Sequence, residues 1–466
     1  MKYFAFTLVF LGIIPGALFL ATNRYLLRWA MLAMLLPTLF FEKTALNFFS
    51  REMYRGTSRG MEISLIYIVA LTLLVTLALL RGRPLRLIPE AGGLLYVLYF
   101  LCCLPSLHNA GTLSVSYFEL WKMVMVYLVY LAVYHYLDYT KGDFDIILYG
   151  LAIVNLVNFF ICVKMHLEGI YQPKGLFPHR NSMAMFMSMT GLLFLARAFT
   201  SHHLKQTIFF VICFLATSAS LVRSYSRGAI VCFPPAVAIT VFSTWMNVRS
   251  VKKFYLTALV VILGLVGLAL FLPRVVERFE KAPEASWNTR KDLAVAARNM
   301  IKDKPFFGVG INNWGCKINP PYTYSEHRDK HPGADDDEFK DGIVETIYLL
   351  VAAECGLPCF TLLILWFLYY LFTSMRLVRL LRFTPYFYIP AGLMGGLSAI
   401  FVQSVLEWVL KQQMNFIWMM VLFGTLSYLK KHCWELIERS QSASALEPEP
   451  PTDPEEPFTE EELNAI

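Results

Sequence analysis

Residues 65–80 read LIYIVALTLLVTLALL and are followed at once by Arg81-Gly-Arg-Pro-Leu-Arg86. The apolar stretch carries no charge, and the run 62–80 to which it belongs has about the 20 residues that an α-helix needs to cross a bilayer. The arginines behind it are typical of cytoplasmic loops, where lysine and arginine accumulate. This stretch therefore predicts a membrane-spanning helix that ends on the cytoplasmic side.

The same pattern repeats along the 466-residue chain. Hydrophobic residues make up 57% and charged residues 16% of the sequence, against about 25% charged in soluble domains. We therefore predict an all-α, polytopic transmembrane bundle of about 12–13 helices. Its apolar runs fall at residues 4–20, 25–46, 62–80, 92–107, 117–137, 145–163, 181–198, 207–222, 228–245, 254–272, 343–372, 385–408 and 413–429.

Basic residues lie between these runs, so the net charge of +7 indicates membrane topology and not nucleic-acid binding. The clusters that mark cytoplasmic loops are residues 81–86, Arg249 with Lys252 and Lys253, Arg376 with Arg379 and Arg382, and Lys430 with Lys431. Alternation then places residues 164–180, 223–227 and 273–342 on the opposite, outer side. Arg51, Arg55 and Arg59 fall on the outer side too. Either the first two helices are miscounted, or these arginines serve a purpose there, such as phosphate contact.

Four regions follow from this topology. They are N-terminal transmembrane helices (1–272), a large, partly helical outer loop (273–342), C-terminal transmembrane helices (343–430) and a disordered, acidic, cytoplasmic tail (431–466). Within the loop we predict a helix that Ser286 caps. An apolar stripe of Leu293, Ala297, Met300 and Ile301 lines it, Pro305 ends it, and Gly308 and Gly310 form a turn.

Two arginine-bearing turns on the outer side are candidate anion sites. In the first, His179 and Arg180 precede a predicted helix, whose free amides and dipole also favour an anion. The second contains Arg223 and Arg227, and a guanidinium can hold two phosphate oxygens at once. The alternative is that these side chains reach towards lipid head groups.

Acidic residues follow at the next predicted span. Glu345 stands at its outer boundary, where the helix dipole alone would favour an acid. Glu354 lies within the bilayer and needs a partner that is basic or carries a hydroxyl group. Glu119 with Lys122, and Glu407 with Lys411, are spaced as structural pairs one turn apart.

Metal binding is not favoured by the sequence. His327 and His331, with the acids at 335–338, form a solvated charged loop more readily than a metal site, since Pro332 and Gly333 interrupt them. The nine cysteines lack metal-ligand spacing.

Four stretches of the sequence resemble the O-antigen ligase and O-antigen polymerase superfamily of polytopic membrane glycosyltransferases. They occur in the same order as in that superfamily and flank or belong to the large outer loop. They are residues 177–186, residues 226–228, residues 288–313 with Arg290 and Asn313, and residues 348–357. Together they cover about residues 175–360, whereas the first 160 residues are similar only in being helical.

The resemblance implies an inverting, metal-independent transferase in the bacterial inner membrane with its site on the periplasmic face. It would take a glycan from undecaprenyl diphosphate and join it to a hydroxyl of the lipid A core, in lipopolysaccharide biosynthesis, or of another carrier-linked repeat. Arg180 and Arg227 would hold the diphosphate, Arg290 would assist, and His179, Arg223 and Asn313 would contact substrate. No cofactor is implied, and membrane lipid is the remaining partner.

One departure from the family pattern concerns its histidine. Ligases of this family carry His-Asn, then nine residues, then a glycine that corresponds to Gly356, but this chain has Glu345-Thr346 in place of His-Asn. Glu345 then acts as general base, His327 or His331 supplies the histidine, or the protein is a polymerase that does not need one. A transporter of lipid-linked saccharide and a scaffold of the cell envelope are the alternatives from other classes; repeated halves, typical of transporters, are not found.

Overall fold

The computed structural model describes residues 2–40, 44–247, 250–280, 284–328 and 342–446. This part of the chain forms eighteen α-helices and one two-stranded sheet. Seven of the helical segments described are long and apolar enough to cross a membrane. The predicted fold class, a polytopic helical membrane protein, is confirmed.

Helices of the first half are α1 (Lys2–Leu11), α2 (Ile13–Ala21), α3 (Arg24–Leu35), α4 (Leu65–Arg81), α5 (Ala91–Cys103), α6 (Leu113–Thr140), α7 (Asp145–Leu167), α8 (Arg180–Thr200) and α9 (Leu204–Arg223). Those of the second half are α10 (Arg227–Trp245), α11 (Val251–Glu280), α12 (Glu284–Asp303), α13 (Trp314–Lys317), α14 (Ile347–Cys355), α15 (Leu357–Leu380), α16 (Tyr388–Gln403), α17 (Gln413–Lys431) and α18 (Cys433–Leu446). Short 3-10 turns occur at Leu36–Phe40, Leu104–Asn109, Glu326–Arg328 and Val409–Lys411.

Each predicted apolar run contains a helix, but three runs differ from a single span. Residues 4–20 form two helices, α1 and α2, and α3 ends at Leu35 instead of continuing to residue 46. The run 343–372 begins at Ile347 and is interrupted at Gly356. Hydropathy indicates where a chain is apolar but not where its backbone turns, so the apolar pattern does not predict these helix breaks.

The two ends of the bundle carry different groups. At one end Arg81 and His432 contact Asp138 at 2.6 and 2.8 Å, and Lys430 contacts Glu90 at 2.7 Å. These basic residues belong to segments predicted to be cytoplasmic. We call the opposite end the loop face. It comprises residues 44–64, 108–112, 168–179, 224–226, 284–328, 342–346 and 404–412.

The loop face includes a β-hairpin that the sequence analysis did not predict. Strands β1 (Ala45–Ser50) and β2 (Gly60–Ser64) pair in antiparallel register. The connecting residues touch the large loop, since the backbone N–H of Thr57 donates to Asn312 Oδ1 at 2.9 Å and the Tyr54 hydroxyl donates to the Asn312 carbonyl. The three arginines of residues 51–59 therefore share an end of the bundle with the large loop, as the topology count required.

Helix α12 is the main helix in the described part of that loop. It begins at Glu284, so Ser286 lies inside the helix and is not its N-cap. The predicted apolar stripe is correct, because Leu293, Ala297 and Met300 are buried, with Ile301 packed against them. The cluster also contains Trp314, Val344 and Leu350, which joins the loop to α14.

The tail begins later than predicted. Residues of α18 (Cys433–Leu446) are helical, so the prediction of disorder from residue 431 is wrong for them. The acidic remainder of the tail lies outside the described residues.

Two glycines form the junction between the loop and the break at Gly356. Gly308 and Gly356 adopt positive φ values of 63° and 87°. The backbone N–H of Leu357 donates to the Pro305 carbonyl at 2.8 Å, and that of Val309 donates to Ala353 at 2.9 Å. The two backbone segments therefore lie against each other without intervening side chains.

Replacing Gly356 by alanine is expected to destabilise the protein by at least about 2 kcal/mol. The new Cβ would lie 2.2 Å from the Phe306 carbonyl oxygen, and a positive φ is strained for any residue with a Cβ. Thermal unfolding of the purified, detergent-solubilised protein measures the effect. Gly264→Ala in α11 is the control, since a Cβ there meets nothing within 4 Å; equal stability of the two variants would contradict the prediction.

Four buried charges hold this junction to the bundle. Lys122 Nζ lies 2.6 Å from Glu119, and Lys411 Nζ lies 3.4 Å from Glu119 and 3.5 Å from Glu354. The pairing of Glu119 with Lys122 and the need of Glu354 for a basic partner are confirmed. The predicted pair of Glu407 with Lys411 is wrong, because α16 ends at Gln403 and the two residues do not share a helix face. Two acids and two bases leave no net charge in the core, as buried charges require.

Candidate active site on the loop face

Glu345 lies in the short segment that enters α14. Its carboxylate is 3.5 Å from the Arg290 guanidinium of α12, and both side chains are partly exposed. The start of α14 is attached to the segment 404–412, because the Ile347 N–H and the Thr346 hydroxyl both donate to the Ser404 carbonyl at 3.2 and 3.3 Å. Loop, α14 entrance and the 404–412 segment thus meet at one place.

Glu407 is the site residue whose role the sequence analysis missed. Its side chain is only 3% exposed, and Oε1 accepts a hydrogen bond from the Ser226 hydroxyl at 3.3 Å. Gly228 makes room for it, since a Cβ there would lie 3.3 Å from Oε1. The second oxygen, Oε2, is buried and has no hydrogen-bond partner among the described residues. The available signal was an acid within the predicted apolar run 385–408, where a charged residue is costly.

The two carboxylates influence each other. Burial and the neighbouring Glu345 raise the pKa of Glu407 to about 8, against the opposing effects of Arg290, the Ser226 hydrogen bond and Arg180. Burial also raises the pKa of Glu345, opposed by Arg290 and Arg227. The ionisation of the two carboxylates is therefore coupled. At neutral pH Glu407 is mainly protonated, and Arg290 favours the charged form of Glu345.

Three arginines converge on this pair from three separate helices. Arg180 and Arg227 are the first residues of α8 and α10, where free backbone amides and the helix dipole add to the side-chain charge. Arg290 comes from α12. Arg290 and Arg227 oppose the raised pKa of Glu345, and Arg290 and Arg180 oppose that of Glu407. The structure thus brings together four of the predicted site residues, Arg180, Arg227, Arg290 and Glu345.

The packing of α8 against α16 aligns two of the contributing segments. A Cβ on Gly392 would lie 2.7 Å from the Leu193 Cα, and one on Gly396 would lie 2.5 Å from the Met189 carbonyl oxygen. Small residues of this kind let membrane helices approach closely. Since α8 begins and α16 ends on the loop face, Arg180 is set beside the segment that carries Glu407.

The other predicted site residues have identifiable contacts. His179 caps α8, its Nδ1 accepting from the Asn181 N–H at 3.2 Å, and Arg223 is the last residue of α9. Asn313 is fully buried and donates to the Ser116 hydroxyl at 2.7 Å while accepting from the Thr112 N–H at 2.9 Å. These bonds assign Asn313 to holding the loop in place.

Of the two histidines that could replace the family's histidine, only His327 lies within the described residues. A ring nitrogen of His327 lies 2.9 Å from the Asp292 carbonyl oxygen, whereas His331 and the acids at 335–338 lie outside the described residues. Within the described ranges, no group of three or more His, Cys, Asp or Glu side chains is arranged to hold a metal ion.

Fold and site together define a polytopic membrane protein with an arginine-lined pair of carboxylates at one end of its helix bundle. Residues 211–364 match the family model described as O-Antigen ligase, which confirms the resemblance of this part of the chain to the O-antigen ligase superfamily. The match supports an O-antigen ligase-like role in polysaccharide biosynthesis, with glycosyltransferase-like ligase or polymerase chemistry. It runs from α9 into α15 and includes Arg227, Arg290 and Glu345. No curated protein matches the chain.

Proposed function

We propose that the protein transfers a glycan from undecaprenyl diphosphate to an acceptor hydroxyl on the periplasmic face of the bacterial inner membrane, as an O-antigen ligase. The observation that carries this proposal is the contact of Arg290 with Glu345 at 3.5 Å, on the same face of the bundle as Glu407 and the helix starts that bear Arg180 and Arg227. A diphosphate leaving group needs concentrated positive charge, and the acceptor needs a base. This arrangement offers both within one site.

The proposed reaction is a single displacement. The acceptor oxygen attacks the anomeric carbon, the bond from that carbon to the diphosphate oxygen breaks, and the configuration inverts. The electron pair leaves with the diphosphate, whose growing charge the arginines stabilise. Preorganised charge aimed at the leaving group is effective because it needs no reorganisation during the reaction.

Glu345 receives the acceptor proton in this proposal. A general base works best when its pKa lies near the working pH, and an unperturbed glutamate is too weak a base for that. The burial that raises the pKa of Glu345 moves it towards this range. Glu345 thereby performs the task that the resemblance assigns to histidine, and Glu407 modulates it as the neighbouring acid.

A polymerase of the same superfamily is the alternative within the class, since the site is equally suited to a carrier-linked repeat as acceptor. A transporter of lipid-linked saccharide is the alternative outside it, favoured by the interruption at Gly356, because broken helices are frequent at transporter sites. A ligase, a polymerase and a transporter predict different glycan products.

The test is the surface polysaccharide profile of a deletion strain. We expect full-length glycan to accumulate on the polyprenyl carrier and to be missing from its final acceptor, with wild-type complementation restoring it. If the deletion strain attaches only single repeat units to the final acceptor, the protein is a polymerase. Glycan retained on the cytoplasmic side would indicate transport, and an unchanged profile in a strain without a redundant homologue would overturn the proposal.

A further inference from the structure

We propose that the hairpin 44–64 is the docking surface for the phosphate groups of the acceptor, a phosphate-bearing glycolipid anchored in the outer leaflet of the same membrane. This inference rests on the proposed function, because it gives the acceptor of that reaction a contact surface outside the active site. It accounts for Arg51, Arg55 and Arg59, which the active site does not use.

The charge of the hairpin fits an anionic partner. Arg51, Arg55 and Arg59 are all exposed, and residues 51–59 contain a single acid, Glu52. The connection has a fixed shape, since the Arg51 N–H donates to the Arg59 carbonyl at 2.8 Å and the Tyr54 N–H to the Arg51 carbonyl at 2.9 Å. Arginines held in this way can bind phosphate oxygens two at a time. The usual bias of basic residues towards the cytoplasm does not explain them on the loop face.

Exposed apolar side chains on the same hairpin indicate that the partner is borne by a lipid. Phe49 is 72% and Met53 is 91% exposed, beside the arginines. Phe48 lies 6.0 Å from the ring of Tyr3 at the start of α1, a helix whose Leu8 and Leu11 side chains are themselves exposed. Apolar and basic side chains side by side suit the boundary between acyl chains and phosphates.

The hairpin is also connected to the active site. Asn312 joins it through Thr57, and the backbone N–H of Ser58 donates to the same Asn312 Oδ1 at 3.3 Å. Two residues further on, the indole N–H of Trp314 donates to the Gly342 carbonyl at 2.8 Å, three residues before Glu345. These contacts hold the hairpin against the loop segment that leads to Glu345.

A binding titration tests this without requiring transfer. The purified, detergent-solubilised full-length protein is titrated by native mass spectrometry with three probes: bisphosphorylated lipid A, lipid A with its phosphates removed, and phosphatidylglycerol. The test variant is R51Q/R55Q/R59Q. The matched control is R376Q/R379Q/R382Q, which removes the same charge from three exposed arginines predicted to be cytoplasmic, and R51K/R55K/R59K tests whether charge alone suffices.

We expect the test variant to bind bisphosphorylated lipid A at least tenfold more weakly than wild type, with the control unchanged and the lysine variant intermediate. Binding of the dephosphorylated lipid should be the same in all variants. The proposal is overturned if the test variant binds the phosphorylated lipid normally, or if it loses the dephosphorylated lipid as well. An equal loss of phosphatidylglycerol would make the hairpin a general membrane anchor and overturn its assignment to the acceptor. If the deletion strain shows that glycan transfer is not the function, the titration still decides whether the hairpin binds lipid phosphates.

Discussion

Replacement of Arg227 by alanine is expected to lower glycan transfer by about 10²–10³-fold, the usual effect of removing one preorganised group that stabilises transition-state charge. Arg227 begins α10, and its charge acts on Glu345. Its loss would remove a guanidinium from the place where the diphosphate leaves. The measurement is the amount of acceptor-linked glycan in the complemented deletion strain, normalised to the amount of protein in the membrane.

Two comparisons make the result specific. Arg227→Lys retains the charge but not the planar, two-oxygen geometry, so we expect activity between those of wild type and the alanine variant. Arg376→Ala, at the opposite end of the bundle, should be fully active. If Arg227→Ala transferred glycan normally at normal membrane levels, Arg227 would not be part of the active site.

Glu345→Gln is expected to reduce the rate at neutral pH by about 10²–10⁴-fold, the range that general-base catalysis contributes. Glu407→Gln should have a much smaller effect there, because glutamine has the shape of the protonated acid that Glu407 mainly is at pH 7. The assay is transfer by the purified enzyme from a carrier-linked glycan. If Glu407→Gln were inactive and Glu345→Gln active, Glu407 would be the general base instead of Glu345.

The pH dependence provides a separate readout of the same pair. Transfer should rise with pH as Glu345 loses its proton, and fall again above about pH 8, the pKa of Glu407, because a second negative charge then repels the diphosphate. Glu407→Gln should lose the decline at alkaline pH and retain the rise at acid pH. These limits belong to the pair and not to one residue. A decline that persists in Glu407→Gln would contradict this origin.

Much of the architecture was predictable because hydropathy and the distribution of basic residues act locally. A stretch such as residues 65–80 must be a helix in lipid, where its backbone has no other hydrogen-bond partners. The predicted orientation rests on arginines and lysines in short loops, and the contact of Thr57 with Asn312 places the hairpin at the same end of the bundle as the large loop. The outer arginines were identified as site candidates on the same basis.

The helix breaks and the partners of the buried charges could not be predicted from hydropathy and local charge. Gly356 lies in an apolar stretch and Gly308 in a loop, and neither sequence indicates that the two backbone segments pack against each other. Lys411 is spaced correctly for Glu407 on an ideal helix, but the turn after Gln403 gives it Glu119 and Glu354 instead. Spacing predicts a partner only while the helix continues.

The sequence by itself determined a polytopic helical membrane protein and the family model that residues 211–364 match. Tertiary structure alone decided that Glu345 contacts Arg290 of α12 and that Glu407 contacts Ser226, next to Arg227 at the start of α10. The physical reason is distance along the chain. Ser226 and Glu407 are 181 residues apart, and only the packing of whole helices brings such residues together, because the forces that select each helix carry no information about its neighbours.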